Sequence, residues 1–391
     1  MKRIVFYAVI IFSLGIAADG FAVDISDTKL LTQPAISKDR IAFVYANDLW
    51  SAKTDGSDVR RLTSDDGIES NPAFSPDGSL LAFSAQYDGN TDVYLMPVQG
   101  GSPTRLTWHP GADIVQGFSP DGASVLFTSG RYVFTGRYTQ LFAVPVKGGF
   151  PGEPLKIPYA NKGAYSPDAS RLAYNPLYPA FTQWKNYRGG TNSVVQIFRF
   201  SDNSVEKVPQ PAGRCNDADP MWMGDAVYFR SDRNGEFNIF AFDVKTRALK
   251  QLTSHNDFPV MSCSAGAGRI IYEQAGHLHL MDLKSGKSTK LTVGVSADLI
   301  ESRPRFVKGF RYIRGVSLSP TGARVVLDFR GEIVIPFFEE FLKALFGDHL
   351  LEHFLGSLWG HDREIGFLQN GMNTQQRRGI HHHVNIRSSA V

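Results

Sequence analysis

Ser75-Pro76-Asp77-Gly78 is the stretch of sequence that decides the fold, because the same turn returns several times along the chain. Proline presets φ at the first turn position, aspartate can bond the backbone ahead of it, and glycine tolerates the positive φ that closes a hairpin. Full or altered copies begin at Ser75, Ser119, Ser166 and Ser319. A turn of such defined chemistry, repeated in this way, indicates a fold assembled from similar β-hairpins.

The turn belongs to a repeating unit of four short strands. In one unit the predicted strands are 71–74, 80–84, 92–98 and 105–107. An aromatic residue ends the second strand of each unit, roughly 40 to 55 residues from the next, at Phe43, Phe83, Phe127, Tyr174, Phe229 and Tyr272. This period is typical of propeller blades, so the sequence predicts an all-β fold: a six-bladed β-propeller of four-stranded antiparallel blades.

Two further markers accompany the aromatic residue. The third strand starts with a polar residue followed by apolar ones, at Asp48, Asp92, Gln140, Gln196, Asn238 and His277. The fourth strand carries a Leu-Thr pair, at Leu62-Thr63, Leu106-Thr107, Leu252-Thr253 and Leu291-Thr292. Because the markers keep one order in the units, we predict that residues 24–301 form the propeller.

The charge balance excludes one class of partner. The 391 residues carry a formal net charge of +3, which falls to +2 without residues 1–22. No basic stripe is present, so nucleic acid is not an expected partner.

Residues 1–22 have the three parts of a secretory signal peptide. Lys2-Arg3 precedes an apolar run, residues 4–16, and the small-residue site Gly20-Phe21-Ala22 follows. We therefore expect an exported protein, periplasmic or extracellular. The alternative is an uncleaved N-terminal anchor, although the run is shorter than the ~20 residues that span a bilayer. No other segment is expected to contact a membrane.

Two cysteines, Cys215 and Cys263, lie at different offsets in adjacent predicted blades. A disulfide requires Cα atoms closer than ~7 Å. The sequence leaves open a bridge or two separate buried thiols.

The fourth blade is interrupted by a long insertion between Tyr174 and Gln196 that contains Trp184-Lys185-Asn186-Tyr187-Arg188-Gly189-Gly190. Within Pro-Asp-turn blades, this stretch resembles an element of the N-terminal six-bladed propeller of the tricorn protease family. The matching residues are Trp184, Lys185, Tyr187, Arg188, Gly189 and Gly190.

The resemblance implies a serine peptidase that cleaves peptides and whose catalytic domains lie beyond this propeller. Residues 302–334 are interpreted as a linker and the first strands of a second propeller, which the chain does not complete. No catalytic residue is therefore carried over, and the chain alone is expected to be inactive. His109 and His255 follow fourth strands and are predicted to be solvated loop residues.

Residues 335–391 are interpreted as a partly helical tail, foreign to the propeller or the product of a frameshift, in a truncated tricorn-like chain. The tail holds six of the ten histidines, at His349, His353, His361, His381, His382 and His383. Leu350 and Leu351 occupy the places where a zincin motif needs a glutamate. We therefore predict no metal site and no cofactor.

The insertion is the candidate site. Lys185 and Arg188 are suited to a peptide carboxylate, Trp184 and Tyr187 to stacking, and Gly189-Gly190 to close backbone approach. The alternative is that these residues dock the propeller onto a neighbouring domain. The resemblance implies a pair of adjacent arginines, shortly before the third blade's turn, that anchor the free C-terminus of a peptide. The corresponding stretch 108–113 contains no arginine, so the resemblance does not extend to this anchor.

Two functions remain. The first is a non-catalytic, substrate-gating and interaction propeller whose partners are peptides and the missing C-terminal peptidase domains. The second is a TolB-like propeller that binds envelope proteins. The Trp184 to Gly190 element favours the first.

Overall fold

Six antiparallel sheets make up the described part of the first unit of the chain. The computed structural model describes residues 24–299, 306–308, 312–337 and 385–387, and it divides into the units Met1–Ala297 and Asp298–Val391. Within the first unit, the first strand of each sheet lies against the first strand of the next, and that of sheet 6 lies against that of sheet 1. The described residues of this unit therefore form a closed propeller.

The strands follow the chain from the first to the last position of each sheet. Their bounds are Thr32–Ile36, Arg40–Tyr45, Asp48–Lys53 and Arg60–Arg61 in sheet 1; Glu69–Phe74, Leu80–Ala85, Asp92–Pro97 and Thr104–Arg105 in sheet 2; Asp113–Phe118, Ser124–Ser129 and Gln140–Pro145 in sheet 3; Lys162–Tyr165, Arg171–Asn175, Gln196–Arg199 and Val205–Lys207 in sheet 4; Asp217–Met223, Ala226–Ser231, Asn238–Asp243 and Leu249–Gln251 in sheet 5; Val260–Gly266, Arg269–Gln274, His277–Asp282 and Ser288–Lys290 in sheet 6.

Sheet 3 has three strands, so the prediction of four strands in every blade is wrong there. The segment in the fourth place contains Pro151 and Pro154, which have no N–H to donate to a neighbouring strand. It keeps only isolated bonds to the third strand, from Gly152 N to Ala143 O (3.2 Å) and from Leu155 N to Leu141 O (2.8 Å).

The repeated turn owes its shape to a hydrogen-bonded serine and aspartate. Ser75 Oγ donates to Asp77 Oδ1 (2.5 Å), and Leu80 N donates to Ser75 Oγ (3.0 Å). Gly78 has a φ of +73°. In the copy that begins at Ser166, the position of this glycine is taken by Ala169, which adopts a φ of +57° that is less favourable for an L-residue. The serine–aspartate bonds hold the turn even where glycine is lost.

The second-strand aromatic residues fill the core between sheets. Each is at most 4% exposed. Several stack on an aromatic ring of the adjacent third strand, as Phe127 does on Phe142 with ring centroids 5.6 Å apart. Apolar residues of sheets 2 and 3 pack into one cluster around these rings. The aromatic residues that repeat along the sequence are therefore the residues that pack between neighbouring sheets.

The Leu-Thr marker joins the outer end of a sheet to its third strand. Leu62 N donates to Leu49 O (2.8 Å), and Leu49 N donates in return to Thr63 Oγ1 (2.9 Å). The same threonine contact recurs in sheets 2 and 5. Leucine supplies a buried or half-buried side chain, and threonine satisfies the N–H of the second residue of the third strand.

Within the part of the chain that the structure describes, no strand is exchanged between the first and the last sheet. The ring is instead closed by the segment before sheet 1, where Thr28 N donates to Val293 O (2.9 Å) and Val295 N donates to Thr28 Oγ1 (2.9 Å). Gly294 allows this approach, because a Cβ there would lie 2.4 Å from Ile25 O.

The second unit contains a three-stranded antiparallel sheet, formed by Ile313–Leu318, Val325–Phe329 and Glu332–Val334. Val325–Phe329 is the central strand of this sheet and is paired on both sides. The backbone of Phe306–Lys308 pairs with that of Asn385–Arg387. The predicted signal peptide, most of the predicted tail and its histidines lie outside the described residues. Among the described helices, none has the length and apolarity needed to cross a membrane.

Candidate functional site

The insertion of sheet 4 joins the end of Arg171–Asn175 to the start of Gln196–Arg199. It includes a single short 3₁₀ helix, Ala180–Thr182. Phe181 packs its ring against Phe237 of sheet 5, with ring centroids 4.7 Å apart. The insertion is thus folded onto the next sheet of the same propeller.

Arg188 forms an ion pair within the propeller. Its Nη1 lies 2.7 Å from Oδ2 of Asp232, whose side chain is 1% exposed. Asp232 also accepts hydrogen bonds from the backbone and side-chain nitrogens of Asn216, at 2.7 and 2.9 Å. The guanidinium therefore neutralises a buried carboxylate between sheets 4 and 5.

Lys185 is also paired. Its Nζ lies 2.6 Å from Glu236 Oε1, and its side chain is 61% exposed. Because water screens this exposed ion pair, it contributes little to stability. The two cations predicted to meet a peptide carboxylate are thus both already satisfied by carboxylates of sheet 5.

The aromatic residues of the insertion are partly exposed to solvent. Trp184 is 61% exposed and stacks on Tyr187, with ring centroids 6.1 Å apart. The Tyr187 hydroxyl accepts a hydrogen bond from Thr191 Oγ1 (3.0 Å). Gly189 lies under that ring, since a Cβ there would be 2.1 Å from the Tyr187 oxygen, whereas Gly190 has open space around it. Gly189 therefore serves ring packing, and Trp184 presents a free aromatic surface.

The structure brings in residues that sequence reasoning missed. Asp232 binds Arg188, Asn216 Nδ2 donates to Tyr187 O (2.9 Å), and Arg214 Nη1 donates to Arg188 O (3.3 Å). The only sequence signal was that Asp232 follows the second strand of sheet 5, which does not predict a partner 44 residues away.

His255 is not the solvated loop residue that the sequence predicts. Its Nε2 lies 3.1 Å from the Tyr272 hydroxyl, which lies 2.7 Å from Ser288 Oγ. Burial lowers the pKa of His255 and raises that of Tyr272. Tyr272 separates the histidine from the serine, so this chain of contacts lacks the direct base–nucleophile bond of a serine peptidase.

The described residues contain no group of three metal-ligating side chains of the His, Cys, Asp or Glu type. Cys215 and Cys263 are free thiols, and burial raises the pKa of each to about 12. Both therefore stay protonated near neutral pH, which suits neither metal binding nor nucleophilic attack.

Comparison with known proteins gives a consistent result. Residues 28–287 match the family described as the tricorn protease N-terminal beta propeller domain. A tricorn protease homolog of Saccharolobus solfataricus is 26% identical over 77% of this chain and 28% of its own length, and tricorn protease homolog 1 of Streptomyces coelicolor is 28% identical over 75% and 27%. A crystal structure of the tricorn protease superposes with a TM-score of 0.65 at 23% identity, covering 79% of this chain and 30% of that one. The chain spans less than a third of the length of these relatives.

Proposed function

Because the chain belongs to the family of tricorn protease N-terminal β-propeller domains, we propose that its propeller is a non-catalytic, substrate-gating module of an exported tricorn-like serine peptidase. The propeller binds peptides and passes them to peptidase domains like those of the longer relatives. The observation that carries the proposal is the family match across residues 28–287.

The structure supports a binding role at one end of the propeller. In a four-stranded blade, loops between the second and third strands lie at the same end as the crossings between blades. The insertion belongs to this set of loops and presents Trp184 there. Its ion pairs with sheet 5 stabilise the loop, which lowers the entropy lost when a ligand binds.

Peptide binding without cleavage is the test. Fluorescein-labelled short peptides are titrated into the full chain by fluorescence anisotropy, and the mixtures are then analysed by mass spectrometry. We expect saturable binding, weakened at least about fivefold by Trp184→Ala, with every peptide recovered intact. Leu249→Ala, which removes an exposed side chain on the outer strand of sheet 5, is the control and should bind like the natural chain.

A TolB-like role is the competing outcome. A protein TolB homolog of Chlorobium luteolum is 34% identical to this chain over 61 residues. Absence of peptide binding, together with saturable binding of a defined envelope protein, would replace the gating function with this one.

Export is part of the same proposal. Expression of the full chain in a Gram-negative host, followed by N-terminal sequencing of the periplasmic protein, should give a mature chain that starts at Val23. A cytoplasmic protein that retains Met1 would contradict export without affecting peptide binding.

A further inference from the structure

The face of the propeller that carries the insertion has basic residues without acidic partners. In sheets 3 to 5, the acidic residues that begin or border the loops of this face are each held by a cation, in the pairs Asp113–Arg131, Asp217–Arg233, Asp232–Arg188 and Glu236–Lys185. Arg137 and Arg214 are exposed, and neither forms an ion pair within the described part of the chain. A local excess of positive charge remains.

The two arginines belong to loops on either side of the insertion. Arg137 lies between the second and third strands of sheet 3, and Arg214 lies in the crossing from sheet 4 to sheet 5. Arg214 reaches the insertion directly, through its hydrogen bond to Arg188 O (3.3 Å). Hydrogen bonds from Thr191 lower the pKa of the Tyr187 hydroxyl, and the positive charges of Arg214 and Arg137 lower it further. Both guanidiniums therefore act on the same aromatic side chain.

Exposed aromatic rings accompany this charge. Trp184 is 61% exposed and Tyr178, in the same insertion, is 57% exposed. Between residues 122 and 201 the only acidic side chains are Glu153 and Asp168. They lie in the segment after the third strand of sheet 3 and in the first turn of sheet 4, which in a propeller blade are at the opposite end. The insertion face is thus basic and aromatic.

We propose that Arg137 and Arg214, in the loops on either side of the insertion, form a subsite for acidic segments of an extended polypeptide. Trp184 and Tyr178 contact the apolar residues beside the acidic ones. The proposal rests on the proposed function, since it specifies which peptides the propeller binds.

Guanidinium chemistry favours a carboxylate ligand. Arginine binds a carboxylate through two parallel N–H bonds, and this geometry is stronger than a neutral hydrogen bond. Arg137 and Arg214 remain available to pair with a carboxylate, whereas the charges of Lys185 and Arg188 are already paired with Glu236 and Asp232. Two guanidiniums on a chain of net charge +3 form no track along a nucleic-acid backbone.

The test compares two labelled peptides that differ only in charge. One is rich in Asp and Glu, and the other has Asn and Gln at the same positions; both are amidated at the C-terminus. The full chain is compared with the double variant Arg137→Gln/Arg214→Gln by fluorescence anisotropy. We expect the natural chain to bind the acidic peptide at least about tenfold more tightly, and the double variant to lose that preference while binding the neutral peptide unchanged.

Arg199→Gln is the matched control. Arg199 ends the third strand of sheet 4 away from the insertion, and its side chain is 53% exposed. This variant should keep the acidic preference. Both arginines of the subsite are exposed, so the double variant should unfold at the same urea concentration as the natural chain, which separates lost binding from lost folding.

Four results would overturn the subsite. Equal binding of the two peptides by the natural chain would refute the acidic preference and leave the proposed function standing, as would an acidic preference that survives in the double variant. Displacement of the acidic peptide by a short oligonucleotide at lower concentration than by unlabelled acidic peptide would assign the charge to another ligand. Binding of neither peptide would refute the proposed function and this inference with it.

Discussion

Glu69 takes the place in sheet 2 that Asp113 and Asp217 hold in sheets 3 and 5. Each aspartate is paired with an arginine two residues beyond the second strand, at 2.7 Å. In sheet 2 the corresponding residue is Tyr87, so the fully buried Glu69 has no cation in this position. Burial consequently raises the pKa of Glu69 to about 7.

This raised pKa makes stability depend on pH. The folded protein holds a proton on Glu69 between pH 4.5, the ordinary pKa, and about 7, whereas the unfolded chain releases it. The stabilisation of the folded protein by this proton is complete below pH 4.5 and is lost as the pH rises through about 7. The free energy of unfolding should therefore fall across this window.

Glu69→Gln should remove this loss of folding stability at high pH. At pH 8 we expect the variant to be more stable than the natural chain by up to about 3 kcal/mol, since one pKa unit corresponds to about 1.4 kcal/mol. Urea unfolding at pH 5 and pH 8 measures this. Asp113→Asn, which leaves Arg131 without its carboxylate, serves as the control and should destabilise at both pH values. A constant difference between Glu69→Gln and the natural chain at the two pH values would contradict the assignment.

At the scale of elements, the insertion is attached to sheet 5 by two ion pairs of very different burial. Asp232 is 1% exposed, whereas Lys185 is 61% exposed. Removal of a charged partner from a buried carboxylate leaves its desolvation uncompensated, whereas loss of an exposed pair changes little.

Arg188→Gln should lower the free energy of unfolding by roughly 1.5–3 kcal/mol. Lys185→Gln should change it by less than about 1 kcal/mol. Urea unfolding of both variants gives the comparison, and Asp232→Asn in the Arg188→Gln background should restore part of the loss. If the two single variants were equally stable, the attachment would not depend on the buried pair.

The ring closure is another property of the elements. Gly294 passes so close to the segment before sheet 1 that a Cβ would lie 2.4 Å from Ile25 O, a backbone atom. Gly294→Ala should separate the two segments and destabilise the propeller by roughly 1–3 kcal/mol, the usual cost of overpacking. Gly152→Ala is the control, because a Cβ there meets no atom within 4 Å. Thermal unfolding of both variants tests this, and equal melting temperatures would show that closure tolerates the extra carbon.

At the scale of the molecule, the two units differ in how much apolar surface they bury. The propeller encloses its second-strand aromatic residues, whereas Ile333, Ile335 and Phe337 of the second unit are 74%, 54% and 54% exposed. Among the described residues of the second unit, the apolar cluster contains two buried residues, Val325 and Leu327. So small a core gives little protection against local opening.

Limited proteolysis of the full chain should therefore trim it to a fragment that ends near residue 300. Mass spectrometry of the products gives the endpoint. Residues 24–297 should persist at protease concentrations that remove the rest. Resistance of residues 312–337 equal to that of the propeller would contradict this prediction. Equal resistance of residues 335–391 would contradict the interpretation of the tail as foreign.

Local patterns in the sequence were sufficient for the repeated elements. The predicted third-strand starts, such as Asp48 and His277, coincide with the observed ones, because a polar residue at the end of a buried strand is a property of that strand alone. The missing outer strand of sheet 3 was also encoded locally, in Pro151 and Pro154, but the period of the repeat concealed it. The position of the insertion was predictable for the same local reason.

The sequence by itself determined the all-β repeat, its turns and the place of the insertion, because each depends on residues a few positions apart. The tertiary structure alone decided that Arg188 neutralises Asp232. Among the described residues, it also left Arg137 and Arg214 without an ion pair and Glu69 buried without a cation. Charge pairing and burial depend on groups brought together from different sheets, and a pattern along the chain does not contain those distances.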